Sequence, residues 1–444
     1  MKDRAMIVQW LAEQTGIAAE QIDGWMEIPP QANLGDFAFP CFQLARSLRQ
    51  APGKIAERLA EQAAGNLAVI DRVEAVGGYL NFFLNRSGYI AGVVTDILAA
   101  GERLGASDAG KGQPVIIEYS SPNIAKPFHL GHAFTTILGQ ALYRLYDRLG
   151  YQVCRMNHLG DYGTQFGKLI VAYRLWGDEE ALQQSPIREL LRIYVRFHEE
   201  AAKEPELDRQ AREAFRRLEA GEPEEKALWQ RFRDLSLIEF SAVYKRLGIE
   251  FDNYNGESFY SDQIPAVVAM LKGKGLLEES EGAQVVKLDE YDLPPCIILK
   301  SDGTTIYASR DLASVLYRIA EWHFHKNIYV VGTPQALHFR QVFAVLEKAG
   351  VPEAAHCVHV GFGLVKFPDR KFATRSGDVI FLSDLLNESV DKTLEIIRQN
   401  AEIRQTGMGE AEMRQVAEKI GLGAVVYTFL KNSRERDITF SWEE

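Results

Sequence analysis

A chain of 444 residues, 46% hydrophobic and 25% charged, has an ordinary globular composition and the length for two or three domains. A net charge of −11 excludes whole-molecule attraction to nucleic acid, so any polynucleotide contact must use local basic patches. No apolar run reaches membrane length and no signal peptide opens the chain. The 4 cysteines, Cys41, Cys154, Cys296 and Cys357, are dispersed and form no CxxC pair, which suits reduced thiols in the cytoplasm.

In chain order, residues 5–15 and 52–64 carry amphipathic helical patterns, residues 77–84 alternate like a strand, and residues 33–40 read as a turn followed by packing aromatics. Together these predict a small α+β unit over residues 1–105. Residues 106–112 are polar and glycine-rich, as in a linker. The apolar, β-branched run at 114–120 predicts a strand buried on both faces. Phe134, Ile137, Leu138, Ala141, Leu142, Leu145 and Leu149 then recur at helical spacing, and Gly150 stands where a helix end favours glycine. A second strand at 152–157 makes a βαβ unit and hence a parallel sheet. Residues 178–246 read as charge-rich helices that interrupt the sheet. Strand and helix alternation returns after Leu293, with strands at 296–300, 327–332 and 356–361 and helices from about 311 and 337. Beyond Phe381 the pattern is helical, over 385–398 and 410–431.

The first strand and the first helix of the sheet are joined by Glu118-Tyr-Ser-Ser-Pro-Asn-Ile-Ala-Lys-Pro-Phe-His129-Leu-Gly-His132. The start of a helix after a strand offers free N–H groups and the positive dipole end, an anion site. Two histidines lie there, one turn apart, with Gly131 between them. No GxxxxGK[ST] and no GxGxxG loop is present. Two open α/β halves put a ligand at the carboxyl ends of the strands. Glu118, Asn123, Tyr307, Asp311, Gln335 and His338 gather there, and Glu257 precedes the second half. A guanidinium, with five donors and no acceptor, requires carboxylates of that kind beside an aromatic or hydroxyl wall.

His129-Leu-Gly-His132 resembles the HIGH signature of class I aminoacyl-tRNA synthetases. The longer run from Tyr119, with Arg155-Met-Asn-His-Leu-Gly-Asp-Tyr-Gly-Thr-Gln-Phe-Gly167, resembles the arginyl-tRNA synthetases in particular, over essentially the whole chain. The resemblance implies an α/β class I Rossmann-like parallel sheet over 113–380 with a helical connective insertion at about 178–290. It also implies an N-terminal additional domain at 1–105 that leans on the tRNA elbow. The helical stem at 381–444 would lead to an anticodon-binding domain that these residues do not contain. It implies arginine–tRNA ligation through arginyl-adenylate, with ATP, its Mg²⁺, L-arginine and tRNA(Arg) as partners, in a cytoplasmic monomer without membrane contact or a tightly bound cofactor. The residues carried over are His129, His132, Gly131, Lys126 and Gly363 at ATP, and Glu118, Asn123, Tyr307, Asp311, Gln335 and Glu257 at arginine. Ala373-Thr-Arg-Ser-Gly377 stands where the family has the mobile KMSKS loop, without its lysine. By resemblance Lys126 compensates, and Arg375 shares the duty.

Two other classes fit part of this pattern. A synthetase-like paralogue or fragment that binds arginine or tRNA without catalysis is favoured by the degenerate loop and disfavoured by the intact histidine pair. A small nucleotidylyltransferase with HxGH is disfavoured by length and by Asn157-His-Leu-Gly-Asp161. The histidine pairs 129/132, 323/325 and 356/359 lack the CxxC or CxxH partners of structural zinc, so no metal site is expected.

Overall fold

The structure is a computed structural model and describes residues 2–63, 69–366, 381–405 and 407–442. The chain divides into two compact units, Met1–Gly105 and Ala106–Glu444.

The first unit holds α1 (Lys2–Thr15), α2 (Ala19–Trp25), β1 (Phe37–Pro40), α3 (Phe42–Leu48), α4 (Pro52–Ala63), β2 (Ile70–Val76), β3 (Tyr79–Leu84) and α5 (Arg86–Ala100). The strands form an antiparallel sheet in the order β1-β3-β2. On α4, Ile55, Ala56, Leu59 and Ala63 make one stripe, which is buried with Ile7, Leu11, Phe39 and Phe82. Residues 77–84 are not all strand. Gly77 and Gly78, both at positive φ, form the two-residue hairpin turn between β2 and β3. The segment 37–40, expected as packing aromatics only, pairs with β3 as a strand.

The second unit opens with β4 (Pro114–Glu118), α6 (Leu130–Arg148), β5 (Gln152–Met156) and α7 (Thr164–Trp176). A helical insertion follows: α8 (Glu179–Gln184), α9 (Pro186–Ala201), α10 (Glu206–Glu219) and α11 (Pro223–Leu247). Next come α12 (Glu257–Tyr260), α13 (Ile264–Gly273), β6 (Glu278–Ser280), β7 (Ala283–Leu288), β8 (Leu293–Leu299) and α14 (Tyr307–Trp322). The unit continues with β9 (Lys326–Val330), α15 (Ala336–Lys348), β10 (Cys357–Val360), β11 (Val365–Lys366), α16 (Leu382–Arg404), α17 (Glu410–Leu430) and β12 (Ile438–Thr439).

A four-stranded parallel sheet, β10-β9-β4-β5, organises this unit. β4 is central, and Val115, Ile116 and Ile117 are fully buried. Strand alternation sends Val115 and Ile117 into one core and Ile116 into the other, so both faces are covered. The chain leaves β4 for β5 on one side and later returns as β9 on the other. That reversal opens a crevice beyond Glu118 and Val330.

Three expectations need correction. The run 296–300 belongs to β8, which joins the separate antiparallel sheet β6-β7-β8. Pro294 and Pro295 cannot donate to a ladder on both sides, which suits an edge strand. The segment 178–290 is not helical throughout, since β6 and β7 follow α12 and α13 within it, and its long helices end at Leu247. The chain then runs back beside β5, where the Asn157 amide donates to the Asn253 carbonyl (2.9 Å), and this return carries Glu257 toward the crevice. Nor does the chain stay helical to its end, because β12 pairs in parallel with β11.

Candidate active site

The link from β4 to α6 is held in a shape its residues do not favour. Ser120, Ser121 and Ala125 have φ of 70°, 45° and 59°, in the left-handed region. Each such residue costs on the order of 1–3 kcal/mol and needs its surroundings to hold it. Ser120 Oγ hydrogen-bonds the Tyr244 hydroxyl (2.7 Å) and accepts from Thr136 Oγ1 (2.9 Å). The Ser121 amide donates to Asn157 Oδ1 (3.1 Å), and the Ala125 amide donates to Ser236 Oγ (3.0 Å). Tyr244 and Ser236 both lie on α11, so the insertion buttresses the loop. The Asn157–Asp161 run is part of the same frame. Asn157 Nδ2 donates to Tyr244 (3.1 Å), and buried Asp161 accepts from the amide and hydroxyl of Ser258 (both 2.9 Å).

The two histidines cap α6 reciprocally. His129 is the N-cap, and its Nδ1 accepts from the Gly131 amide (3.0 Å), while His132 Nδ1 accepts from the His129 amide (3.3 Å). Two N–H groups of the expected anion site, those of His129 and Gly131, are therefore used by the protein itself. A Cβ on Gly131 would lie 2.8 Å from His129 Cε1, so this glycine makes room for the capping ring. The ring centroids are 4.0 Å apart. Burial lowers the His129 imidazole from 6.5 to about 4, and the Lys126 charge pushes the same way. Burial lowers His132 well below its ordinary value, with His129 and Lys126 adding to the effect. Both rings are thus neutral at physiological pH. Since Nδ1 accepts in each, the proton sits on Nε2. Two neutral N–H donors suit an oxygen on which negative charge is growing.

These rings edge a cavity of about 710 Å³. Glu118, Asn123, Glu257, Tyr307, Asp311 and Gln335 all line it, together with Gly131. Its three carboxylates each have a basic neighbour. Glu118 is paired with fully buried Arg318, which also donates to Asn327 (3.3 Å). Its burial is thus explained without any ligand. Arg310 Nε stands 3.7 Å from Glu257, whose carboxyl is raised by burial against the pull of Arg310. His338 Nε2 lies 2.5 Å from Asp311 Oδ2. Asp311 sits in the second turn of α14 and caps nothing. Tyr307 is 66% exposed and so is no part of the core. Asn123 is held against the Asn157–Asp161 run, where Gly160 has no room for a Cβ because Asn123 Oδ1 would lie 2.4 Å away.

Not every expected residue meets this cavity. Lys126 lines an adjoining recess of about 410 Å³ with Lys168, Tyr194 and His198, and Tyr307 borders both spaces. Gly363 lines neither; its amide donates to the Arg434 carbonyl (2.8 Å), and the Arg436 backbone fills the space a Cβ would need. Arg375 and the Ala373–Gly377 run lie outside the described residues. Ser121, Thr135 and His158 also line the cavity and went unread. His338 was noted near Gln335, but its pairing with Asp311 joins two helices distant in sequence and leaves no local signal.

The family described as the catalytic domain of class I tRNA synthetases (R) matches residues 93–442, and the arginyl-tRNA synthetase N-terminal domain matches residues 4–84. An arginine–tRNA ligase of Clostridium botulinum (strain Alaska E43 / Type E3) is 54% identical over 439 residues, covering 99% of this chain and 76% of that protein. One from Clostridium beijerinckii is 53% identical, covering 100% and 77%. The structure of Thermus thermophilus arginyl-tRNA synthetase shares the fold at a TM-score of 0.68 and 23% identity, covering 94% of this chain and 74% of that one. That of the Plasmodium falciparum enzyme does so at 0.64 and 22%, covering 94% and 72%. The chain belongs to the arginyl-tRNA synthetase family of class I aminoacyl-tRNA synthetases.

Proposed function

We propose that this cavity activates L-arginine with ATP and passes the arginyl group to the 3′ end of tRNA(Arg). The observation that carries the reading is the meeting of Glu118, Glu257 and Asp311 in one cavity whose edge is formed by His129 and His132. Carboxylates suit a guanidinium by charge and by paired hydrogen bonds. Neutral imidazole donors suit a phosphate without repelling the Mg²⁺ that ATP brings with it. The arginine carboxylate attacks the α-phosphorus, the bond to pyrophosphate breaks, and arginyl-adenylate forms. The terminal ribose hydroxyl then attacks the acyl carbon and AMP leaves. Neither step passes through a covalent enzyme intermediate. The protein positions the reactants and meets the growing phosphate charge with the Nε2–H groups of His129 and His132.

Lys126, in the adjoining recess, supplies a fixed charge beside the histidines, and Arg375, in the run that stands at the place of KMSKS, adds a second. The protein works as a monomer. The test is charging of tRNA(Arg) with labelled arginine. Arginyl-tRNA should accumulate only with ATP, arginine and tRNA together. Arginine binding without any adenylate would favour the non-catalytic alternative.

A further inference from the structure

Glu257 enters the cavity from a segment far from the first strand in sequence, and its side chain is only loosely held there. Arg310 Nε stands 3.7 Å away, beyond hydrogen-bond reach, and has no hydrogen-bond partner among the described residues. The place of this carboxylate is therefore set through its backbone. The Glu257 amide donates to the Leu159 carbonyl (3.0 Å). Glu257 is the first residue of α12, whose N-cap is Gly256, a residue with no side chain to accept the free amides of the helix start. Asp161 does this from elsewhere in the chain. Its Oδ1 accepts from the Ser258 amide and its Oδ2 from the Ser258 hydroxyl (both 2.9 Å). A Cβ on Gly256 would lie 2.5 Å from Asp161 Oδ1, so the carboxylate fills the space beside the turn. α11 fixes Asp161 in turn. Trp229 Nε1 donates to its carbonyl (2.8 Å), and Arg233 donates from Nε to its Oδ2 (3.4 Å) and from Nη2 to the Tyr254 carbonyl (3.3 Å).

We propose that Asp161 is a positioning residue for arginine recognition, which acts by holding Glu257 in register with Asn123. This inference rests on the arginine reading of the cavity. Asp161 is buried and does not itself line the cavity. The same run seats Asn123, because the Ile124 amide donates to the Gly160 carbonyl and the Gly160 amide to the Pro122 carbonyl (both 3.1 Å). Residues 159–161 thus grip the chain beside both cavity residues. Capping α12 alone does not require this. A serine or asparagine at position 256 would satisfy the amide locally, with no buried charge to compensate. A carboxylate reaching over from the Asn157–Asp161 run instead ties the turn to the neighbour of Asn123. Glu257 then meets the substrate already placed, and arginine need not order it on binding.

A double-mutant cycle read by titration calorimetry tests this, with Asp161→Ala, Glu257→Ala and the double variant beside the parent protein. Asp161→Ala should weaken arginine binding about tenfold, through the hydrogen bonds it removes from the turn. In the Glu257→Ala background the same change should leave arginine affinity where it was, because no carboxylate remains to be placed. ATP affinity should stay within about twofold of the parent in all four proteins, which a general loosening of the fold would not allow. An equal loss of arginine affinity with and without Glu257, or a parallel loss of ATP affinity, overturns the proposal while leaving the pocket in place. Absence of any arginine binding by the parent sinks the pocket reading and the proposal with it. If Asp161→Ala does not fold, Ser258→Ala takes its place in the cycle, since it removes the bond to Oδ2 from the other side. Its expected loss is about threefold and again vanishes without Glu257. A loss that persists without Glu257 contradicts the proposal there too.

Discussion

An asparagine at position 129 would keep one bond of the native histidine and lose another. Its side-chain oxygen can accept the Gly131 amide as Nδ1 does, since asparagine is among the best N-cap residues. It has no group in place of Nε2–H. His129→Asn should therefore melt close to the parent protein, yet form adenylate about 10²-fold more slowly, the usual cost of removing one preorganised donor. Thermal unfolding and single-turnover adenylation separate the two. An unchanged rate would leave His129 as a helix cap only. In the pocket, Asp311→Asn should weaken arginine binding by roughly 1.5–3 kcal/mol, the worth of a charge-assisted hydrogen bond. Calorimetry that shows no change would take Asp311 out of arginine recognition. Some of this site was legible residue by residue. The paired histidines and their glycine are a contiguous signal, and resemblance brought six further residues to one cavity. The pairings with Arg318, Arg310 and His338 were not legible, because each residue meets its carboxylate across an element boundary.

Among the elements, α11 joins the insertion to the chemistry. Its sequence reads as a charge-rich, solvated helix, and its exposed face is that. Its buried face carries Ser236 and Tyr244, which grip the strained loop before α6. No helical periodicity marks a tyrosine hydroxyl as a partner of a serine 124 positions away. Tyr244→Phe would leave Ser120 and Asn157 short of a buried partner and should cost about 1–3 kcal/mol of stability. It should also slow adenylation, because residues 120–125 would relax toward ordinary backbone angles. Chemical denaturation with the adenylation rate tests both. Lost stability at full rate would show that the loop holds its shape without Tyr244. The same scale shows why 296–300 was misplaced: a short apolar run looks alike in a central and an edge strand, and the discriminating residues were the prolines just before it.

Across the whole molecule, the buried histidines tie folding to pH. His129 titrates near 6.5 in an unfolded chain and near 4 when folded, so between those values the unfolded state binds the extra proton. Stability is thus fully present above about pH 6.5 and is lost as pH falls, at up to about 1.4 kcal/mol per pH unit for this group. His132, lowered still further, acts in the same direction. Denaturation midpoints measured from neutral to mildly acid pH should fall more steeply for the parent protein than for His129→Asn. Parallel slopes would show that the rings are not held neutral.

The central claim is that the cavity selects a guanidinium and activates its carboxylate. ATP–pyrophosphate exchange with tRNA(Arg) present, driven by arginine or by citrulline, measures this most directly. Citrulline has the same shape with a neutral urea in place of the cation, so it forfeits the charge-assisted pairing at Asp311. Arginine should support exchange and citrulline should fall below it by about tenfold or more for the charged pair lost. Equal exchange with both amino acids, or none with arginine, would contradict the account.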